Sequence, residues 1–233
     1  MTRETLLIPV EFPDPTPLPS TFVGGFTSCK VLLVGVYELP ADTDSDERQR
    51  REIEAYNTLY SYANQFVRAG DTAEVELVMG EDVGDTPSRI AEERDVDALL
   101  VPNPITTLDD VLVAVRDPEF VEPISEFVNL LDQEIVLHAS LFSVAETQEG
   151  TGEKRELLNE LRRRMVDAGF NETAIDVEVA VSDDPPFAIS EAARDHDVVI
   201  LGETQDPDFE RVFGDTYRSI ADETELPIVV VRR

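Results

Sequence analysis

Asp197-Val198-Val199-Ile200-Leu201-Gly202 is the stretch on which the fold turns. Its unbroken apolar run, mostly β-branched and without polar alternation, describes a strand covered on both faces, as in parallel sheets. A second such run, Ile228-Val229-Val230-Val231, follows Leu226-Pro227. Upstream, Arg194-Asp195-His196-Asp197 leads into the first run just as Arg94-Asp95-Val96-Asp97 leads into Ala98 to Val101. One turn-and-strand phrase is therefore written twice, at an offset of 100 residues.

The same phrase structure extends in both directions. Apolar runs at Leu6 to Val10, Val31 to Val36, Val75 to Met79 and Ala98 to Val101 form one series. Val111 to Val115, Ile135 to Phe142, Ile175 to Val181, Val198 to Leu201 and Ile228 to Val231 form the second. Leu6 to Val10 matches Val111 to Val115, and Val31-Leu32-Leu33 matches Val136-Leu137-His138, both at an offset of 105. Val75 to Val78 matches Val177 to Ala180 at 102. Helix-like runs alternate with these strands, the signature of βαβ units. A start at Asp44 or Ser45 leads to a stripe of Ile53, Tyr56, Tyr60, Ala63 and Phe66 or Val67, stopped by Gly70. Its counterpart carries Leu157 or Leu158, Leu161, Met165 and Ala168, stopped by Gly169. Thr86-Pro87 reads as a cap followed by a first-turn proline, and Pro185-Pro186 opens the equivalent short helix. The reading is α/β with two tandem Rossmann-like repeats on parallel sheet, 1–107 and 108–233. The first lacks the loop, helix (Tyr217 to Thr224) and strand that end the second. Its first crossover, with Pro13, Pro15, Pro17 and Pro19, is extended, leaving a short turn near Thr21 to Phe26.

Composition narrows the partners. Among 233 residues, 50 are Asp or Glu against 19 Lys plus Arg, a net charge of −31, and only Lys30 and Lys154 are lysines. Nucleic acid and anionic membrane are repelled by such a chain. With 42% hydrophobic residues it is nevertheless a folding sequence. Acids occur in every helix and loop, among them Asp42, Asp44, Asp46, Glu92, Glu156, Asp222 and Glu225. That spread suits concentrated salt, where screening shortens to about 3 Å at 1 M, rather than one basic partner, and it resembles the proteins of extremely halophilic archaea. A lone Cys29 rules out an internal disulfide framework, and no apolar run is long enough to span a bilayer. With Pro9 and Pro13 interrupting the first apolar stretch there is no signal peptide, so the expected location is cytoplasmic.

An opening Leu7-Ile8-Pro9-Val10-Glu11, a long helix, and the late Asp197 to Gly202 strand with Gly214 and Leu226 to Val231 beyond it together resemble the universal stress protein family. The resemblance implies a five-stranded parallel domain of the nucleotide-binding type, often in tandem, and a stress-response role. In nucleotide-binding members the last loop reads G-x2-G-x9-G-[ST], its backbone amides holding phosphates at a helix N-terminus. Here Gly202 supplies the first glycine, Gln205 replaces the second, and Gly214 serves as the third, one residue short. Asp215 stands in the hydroxyl position, with Thr216 next. Glu203, Asp206, Asp208 and Glu210 crowd the loop, and each carboxylate repels a phosphate by about 1 kcal/mol at contact in water. The family's acidic residue after the opening strand contacts the nucleoside; Arg116 occupies that position in the second repeat, beside Asp117. Glu11 keeps it in the first, which has no phosphate loop.

These departures give the expectation of a non-catalytic regulator without a cofactor, its candidate ATP site (Arg116, Asp117, Gly202, Gly214, Asp215, Thr216) degenerate and closed by side chains. The alternative is an ATP- or AMP-binding switch using the second repeat alone. An adenylating enzyme is a third reading, but Phe12-Pro13-Asp14 and Asp117-Pro118-Glu119 lack a glycine- and serine-rich motif. His138 and His196 lack metal-ligand spacing, and Cys29 has no evident base. Asp42, Asp44 and Asp46 mimic a calcium loop without its later glycine and glutamate, so they read as a helix entry. Arg162, Arg163 and Arg164 read as partners of Glu160 and Asp167. Because only the second repeat owns a final strand, Ile228 to Val231 is expected to be an open edge that pairs with a second copy in a homodimer.

Overall fold

A computed structural model describes residues 4–26, 29–101, 103–104, 107–202, 220 and 223–232. Nine strands form one sheet: β1 (Thr5–Phe12), β2 (Lys30–Glu38), β3 (Thr72–Gly80), β4 (Ala98–Val101), β5 (Asp110–Ala114), β6 (His138–Ala145), β7 (Ile175–Val181), β8 (Val198–Gly202) and β9 (Ile228–Val231). Their spatial order is β3-β2-β1-β4-β9-β8-β5-β6-β7. Read inward from either edge, the order 3-2-1-4 of one half corresponds to 7-6-5-8 of the other. All pairings are parallel except that between β4 and β9.

The helices cover both faces, as the continuously apolar strands require. Leu6, Ile8, Val31, Leu33, Val111, Val113, Val198 and Ile200 point to one face. There they meet α1 (Ser20–Gly24), α2 (Ser45–Ala69), α4 (Val121–Val128) and α5 (Thr151–Asp167) through Phe22, Leu59, Phe66, Ile124, Phe127, Leu158 and Leu161. Alternate residues, such as Leu7, Leu32, Leu112 and Val199, face the opposite side, where α3 (Thr86–Glu93) and α6 (Pro185–Ala193) lie. The first face is one continuous core across both halves. Phe26, just after α1, packs on Phe127 of α4 with ring centroids 6.1 Å apart, and the Asp132 amide donates to the Gly25 carbonyl at 2.8 Å.

Local chemistry explains the element ends. Asp44 caps α2 by accepting from the Asp46 amide at 2.9 Å, and Asp184 caps α6 by accepting from the Phe187 amide at 3.2 Å. Gly70 and Gly169 follow the two long helices at φ +109° and +111°, a backbone region costly for any side chain. Two expectations are corrected, and one helix is new. The cap of α3 is Asp85, not Thr86, whose side chain is buried. α4 was not foreseen. The register of β6 is shifted: Leu6 pairs with Val31, but its equivalent Val111 pairs with Ala139 rather than Val136. Residues 133–135 form a turn before the strand, so the matching offset there is 108, not 105.

A further correction concerns β9. Its expected open edge does not exist: Val229 and Val230 pair with Ile200 and Leu201 of β8 on one side and with Leu100 and Leu99 of β4 on the other. The homodimer expected through Ile228 to Val231 therefore has no free backbone to use. By lacking a final strand of its own, the first half leaves β4 open, and β9 closes both halves at once.

Asp97 and Asp197, the repeated acids of the opening phrase, do matching work. Each donates its amide to the strand beside it, Asp97 to the Thr5 carbonyl and Asp197 to the Asp110 carbonyl, at 3.1 and 2.8 Å. Asp197 Oδ2 accepts the amides of both Asp109 and Asp110, whereas Asp97 Oδ2 accepts that of Thr5 alone. The Asp97 side chain also meets the Glu4 carboxyl, and two carboxyls share a hydrogen bond only when one is protonated. Burial, then the Asp97 hydrogen bond and charge, with Glu126 of α4 adding to it, raise Glu4 from 4.5 to about 7. The folded state thus holds this proton more tightly than the unfolded chain. Its contribution is fully present below about pH 4.5 and is lost as pH rises through about 7. Thermal melts between pH 5 and 8 should fall in midpoint with rising pH, and Glu4→Gln should flatten that slope. An unchanged slope in the variant would remove Glu4 as its source.

Candidate functional site

In an open α/β sheet a ligand enters beyond the carboxyl ends of the strands, where the chain reverses its direction of winding. In the second half that point lies between β5 and β8, since β6 is on the far side of β5. Ala114 pairs with Leu201, so the ends of β5 and β8, leading to Arg116 and Gly202, lie side by side. The structure therefore brings Arg116, Asp117 and Gly202 to one crevice. Gly214, Asp215 and Thr216 lie outside the described residues, as do Gln205 and the loop's acids.

The crevice is filled from within. After β5 the chain passes Arg116 and Asp117 into a turn of 3-10 helix, Pro118–Phe120, which sends Phe120 back beneath β8. Phe120 is 2% exposed. A methyl group placed on Gly202 would lie 2.6 Å from its ring, closer than carbon atoms approach. The glycine is thus needed here so that an aromatic ring can rest on the backbone at the mouth of the crevice.

The charges around it are committed. Arg116 Nε lies 3.7 Å from Asp117 Oδ2, and the Lys154 ammonium of α5 donates to the Arg116 carbonyl. The Ser143 hydroxyl of β6, buried, donates to the Val115 carbonyl at 2.6 Å. Beside the crevice a groove runs between α4 and α5. Glu119, Glu122 and Glu126 form one wall, Glu153, Glu156 and Glu160 the other, and among the described residues Arg164, already held by Glu160, is its one cation. Such a surface repels phosphate. Phe120 and Lys154 were not singled out from sequence. The available signals were an aromatic residue directly after Asp117-Pro118-Glu119 and the rarity of lysine.

The remaining candidates resolve simply. Cys29 is fully buried, its amide donating to Asp71 Oδ1 at 2.9 Å, and burial, then the Asp71 charge, push its thiol up to about 12. It is a poor nucleophile. His138 is surface-exposed, 3.9 Å from Asp176, and His196 Nδ1 lies 2.9 Å from the Ala192 carbonyl. Among the described residues no group of three His, Cys, Asp or Glu side chains is placed to hold a metal, and no helix is long and apolar enough to cross a membrane. Arg163 and Arg164 both pair with Glu160, as expected, but Arg162 reaches Glu172 rather than Asp167.

Comparison with known proteins bears on the whole architecture. No family model matches the chain, and no curated protein does. Solved structures do. A universal stress protein from Archaeoglobus fulgidus superposes with a TM-score of 0.61 at 16% identity, covering 98% of this chain and 96% of that one. The fold is that of the universal stress proteins. A putative universal stress protein from Pseudomonas aeruginosa agrees, with a TM-score of 0.58 at 12% identity over 99% and 93% of the two chains. The cytoplasmic domain of a prokaryotic cation chloride cotransporter gives 0.57 at 13% identity over 98% and 95%. The universal stress protein fold thus extends over nearly the full length of this chain, and the same architecture also occurs in a transporter's domain. Architecture alone does not assign an activity.

Proposed function

We propose that this chain is a non-catalytic, cytoplasmic stress-response regulator of the universal stress protein kind, built of two units, 1–107 and 108–233, whose nucleotide site is closed. The observation that carries this reading is the Phe120 ring seated on Gly202 at the point of the sheet where a nucleotide would enter. Three further features support it. Arg116 stands where the family resemblance implies an acid, and it is drawn to Asp117. The neighbouring groove is walled by six glutamates. In the first half the corresponding crossover begins Phe12-Pro13-Asp14-Pro15, and Phe12 stacks on Tyr37 at 5.6 Å. Among the described residues no set at either strand end pairs a nucleophile with a base, and binding rather than turnover is the proposed role. The uniform acidity is a solvent adaptation to concentrated salt. Calorimetric titration of the full chain with magnesium ATP in molar KCl tests the reading: absence of saturable heat is expected, and stoichiometric binding would instead establish a nucleotide switch.

A further inference from the structure

Acids run along both long helices of this chain, but in α2 they stop at Glu54. From Ala55 to Val67, thirteen consecutive residues of α2 carry no charge, in a protein in which 30% of residues are charged. Burial explains only part of this. Ala55, Leu59, Ala63 and Phe66 face the core, but Ile53, Tyr60 and Val67 are 54%, 56% and 54% exposed. These three recur at intervals of seven, which on a helix makes a single stripe beside the buried face. Tyr56 joins it, stacked on Tyr60 with centroids 5.9 Å apart. The equivalent helix of the other half, α5, shows what the position otherwise looks like: its exposed residues include Glu153, Arg155, Glu156, Arg163 and Arg164. Tyrosine-rich, charge-depleted surface is the composition of an interface core.

We infer that the α2 stripe is a homodimer interface, in which two copies of this chain pack their α2 helices antiparallel about a two-fold axis at Tyr60. Three observations select a second copy over another partner. Two chains of net charge −31 repel each other over most of their surface, and this face is where that repulsion is absent. The stripe is symmetric about Tyr60, so an antiparallel mate sets Ile53 against Val67 and Tyr60 against Tyr60, as an isologous contact requires. The flanking charges are complementary too, since the same axis brings Glu54 to within two residues, about 3 Å along the helix, of the position opposite Arg68. Glu54 and Arg68, exposed at the two ends of the uncharged run, lie seven residues either side of Ser61 on one flank, where antiparallel helices bring like flanks together. Among the described residues Arg68 forms no ion pair within its own chain. Unlike the closed strand β9, this face needs no unpaired backbone.

Light scattering and sedimentation of the full chain in molar KCl test the inference, together with two variants at the exposed Tyr60. A dimer is expected. Tyr60→Glu, which buries a charge at the axis of the pair, should weaken association by at least about thirtyfold, the loss expected at an interface hot spot, while circular dichroism and melting confirm that it folds. Tyr60→Cys should give an intermolecular disulfide on mild oxidation, and Glu156→Cys on α5 should not. A monomer at all attainable concentrations would overturn the inference, whichever other partner the stripe served. So would a dimer indifferent to Tyr60→Glu, or one in which Tyr60→Cys does not cross-link.

Discussion

Phe120→Ala should lower the stability of the fold by about 3–5 kcal/mol, the usual cost of removing a buried aromatic side chain whose surroundings cannot collapse onto the gap. Collapse is hindered on one side by strand backbone, since the ring rests directly on Gly202 of β8. On its other sides Phe120 belongs to the continuous core that joins α4 and α5 to the sheet. Chemical denaturation with unchanged slope and a lower midpoint is the expected observation. The size of the effect matters for function as well as for stability. A ring that only gates an otherwise usable pocket could leave it cheaply, so a loss below about 1 kcal/mol would speak against a permanently filled crevice. The reverse change is informative too: Gly202→Ala places a methyl group against the same ring, an overpacking that costs about 1–3 kcal/mol.

Val230→Asp should be at least as damaging, and in a distinctive way. Val230 is 3% exposed and sits opposite Leu99 and Leu201 at once. A carboxylate there enters the apolar cluster of Leu112, Val199, Leu201, Ile220 and Ile228, and an unpaired buried charge costs about 3–5 kcal/mol where it is tolerated at all. Because β9 is the shared strand, both halves should lose stability together, in a single transition at a lower temperature. Separate transitions, with only residues of the second half released early, would show that β4 does not depend on β9. The Arg232 amide, which donates to the Asp97 carbonyl at 2.7 Å, continues the same junction past the end of the strand.

The sheet was legible in the sequence because its strands are covered on both faces and so are written as continuous apolar runs. Asp97 and Asp197 were visible as a repeated turn, and the structure gives their amides equivalent hydrogen bonds to the neighbouring strand. Where periodicity is weak, the reading slipped. Ile135 and Val136 are apolar but precede β6, and their side chains pack the turn against the first core, so an apolar run alone placed the strand three residues early. α4 opens with Pro123 in its first turn and is short, which leaves little helical period to detect. The role of β9 was misread for a different reason. A strand's sequence records that it is buried, not how many neighbours it has, and the missing strand of the first half could be replaced only in three dimensions.

The site divides in the same manner. Gln205 at the second glycine position of the resembled motif, and Arg116 where the resemblance implies an acid, are local features that a sequence shows directly. The filling of the crevice depends on a side chain four residues beyond Arg116 turning back under a strand from elsewhere in the chain, and no spacing rule reports that. Lys154, one of two lysines in the sequence, likewise gives no sign there that its ammonium donates to the Arg116 carbonyl. The acidity, uniform in sequence, becomes informative in structure through its exception on α2.

The central claim, a universal stress protein fold with its nucleotide entrance filled, is tested most directly by purifying the full chain in molar KCl without added nucleotide, denaturing it with acid and separating what is released by chromatography. The account predicts no adenine nucleotide above the trace carried by the buffer. A nucleotide released in stoichiometric amount would contradict it, and would mean that Phe120 yields the crevice to a ligand.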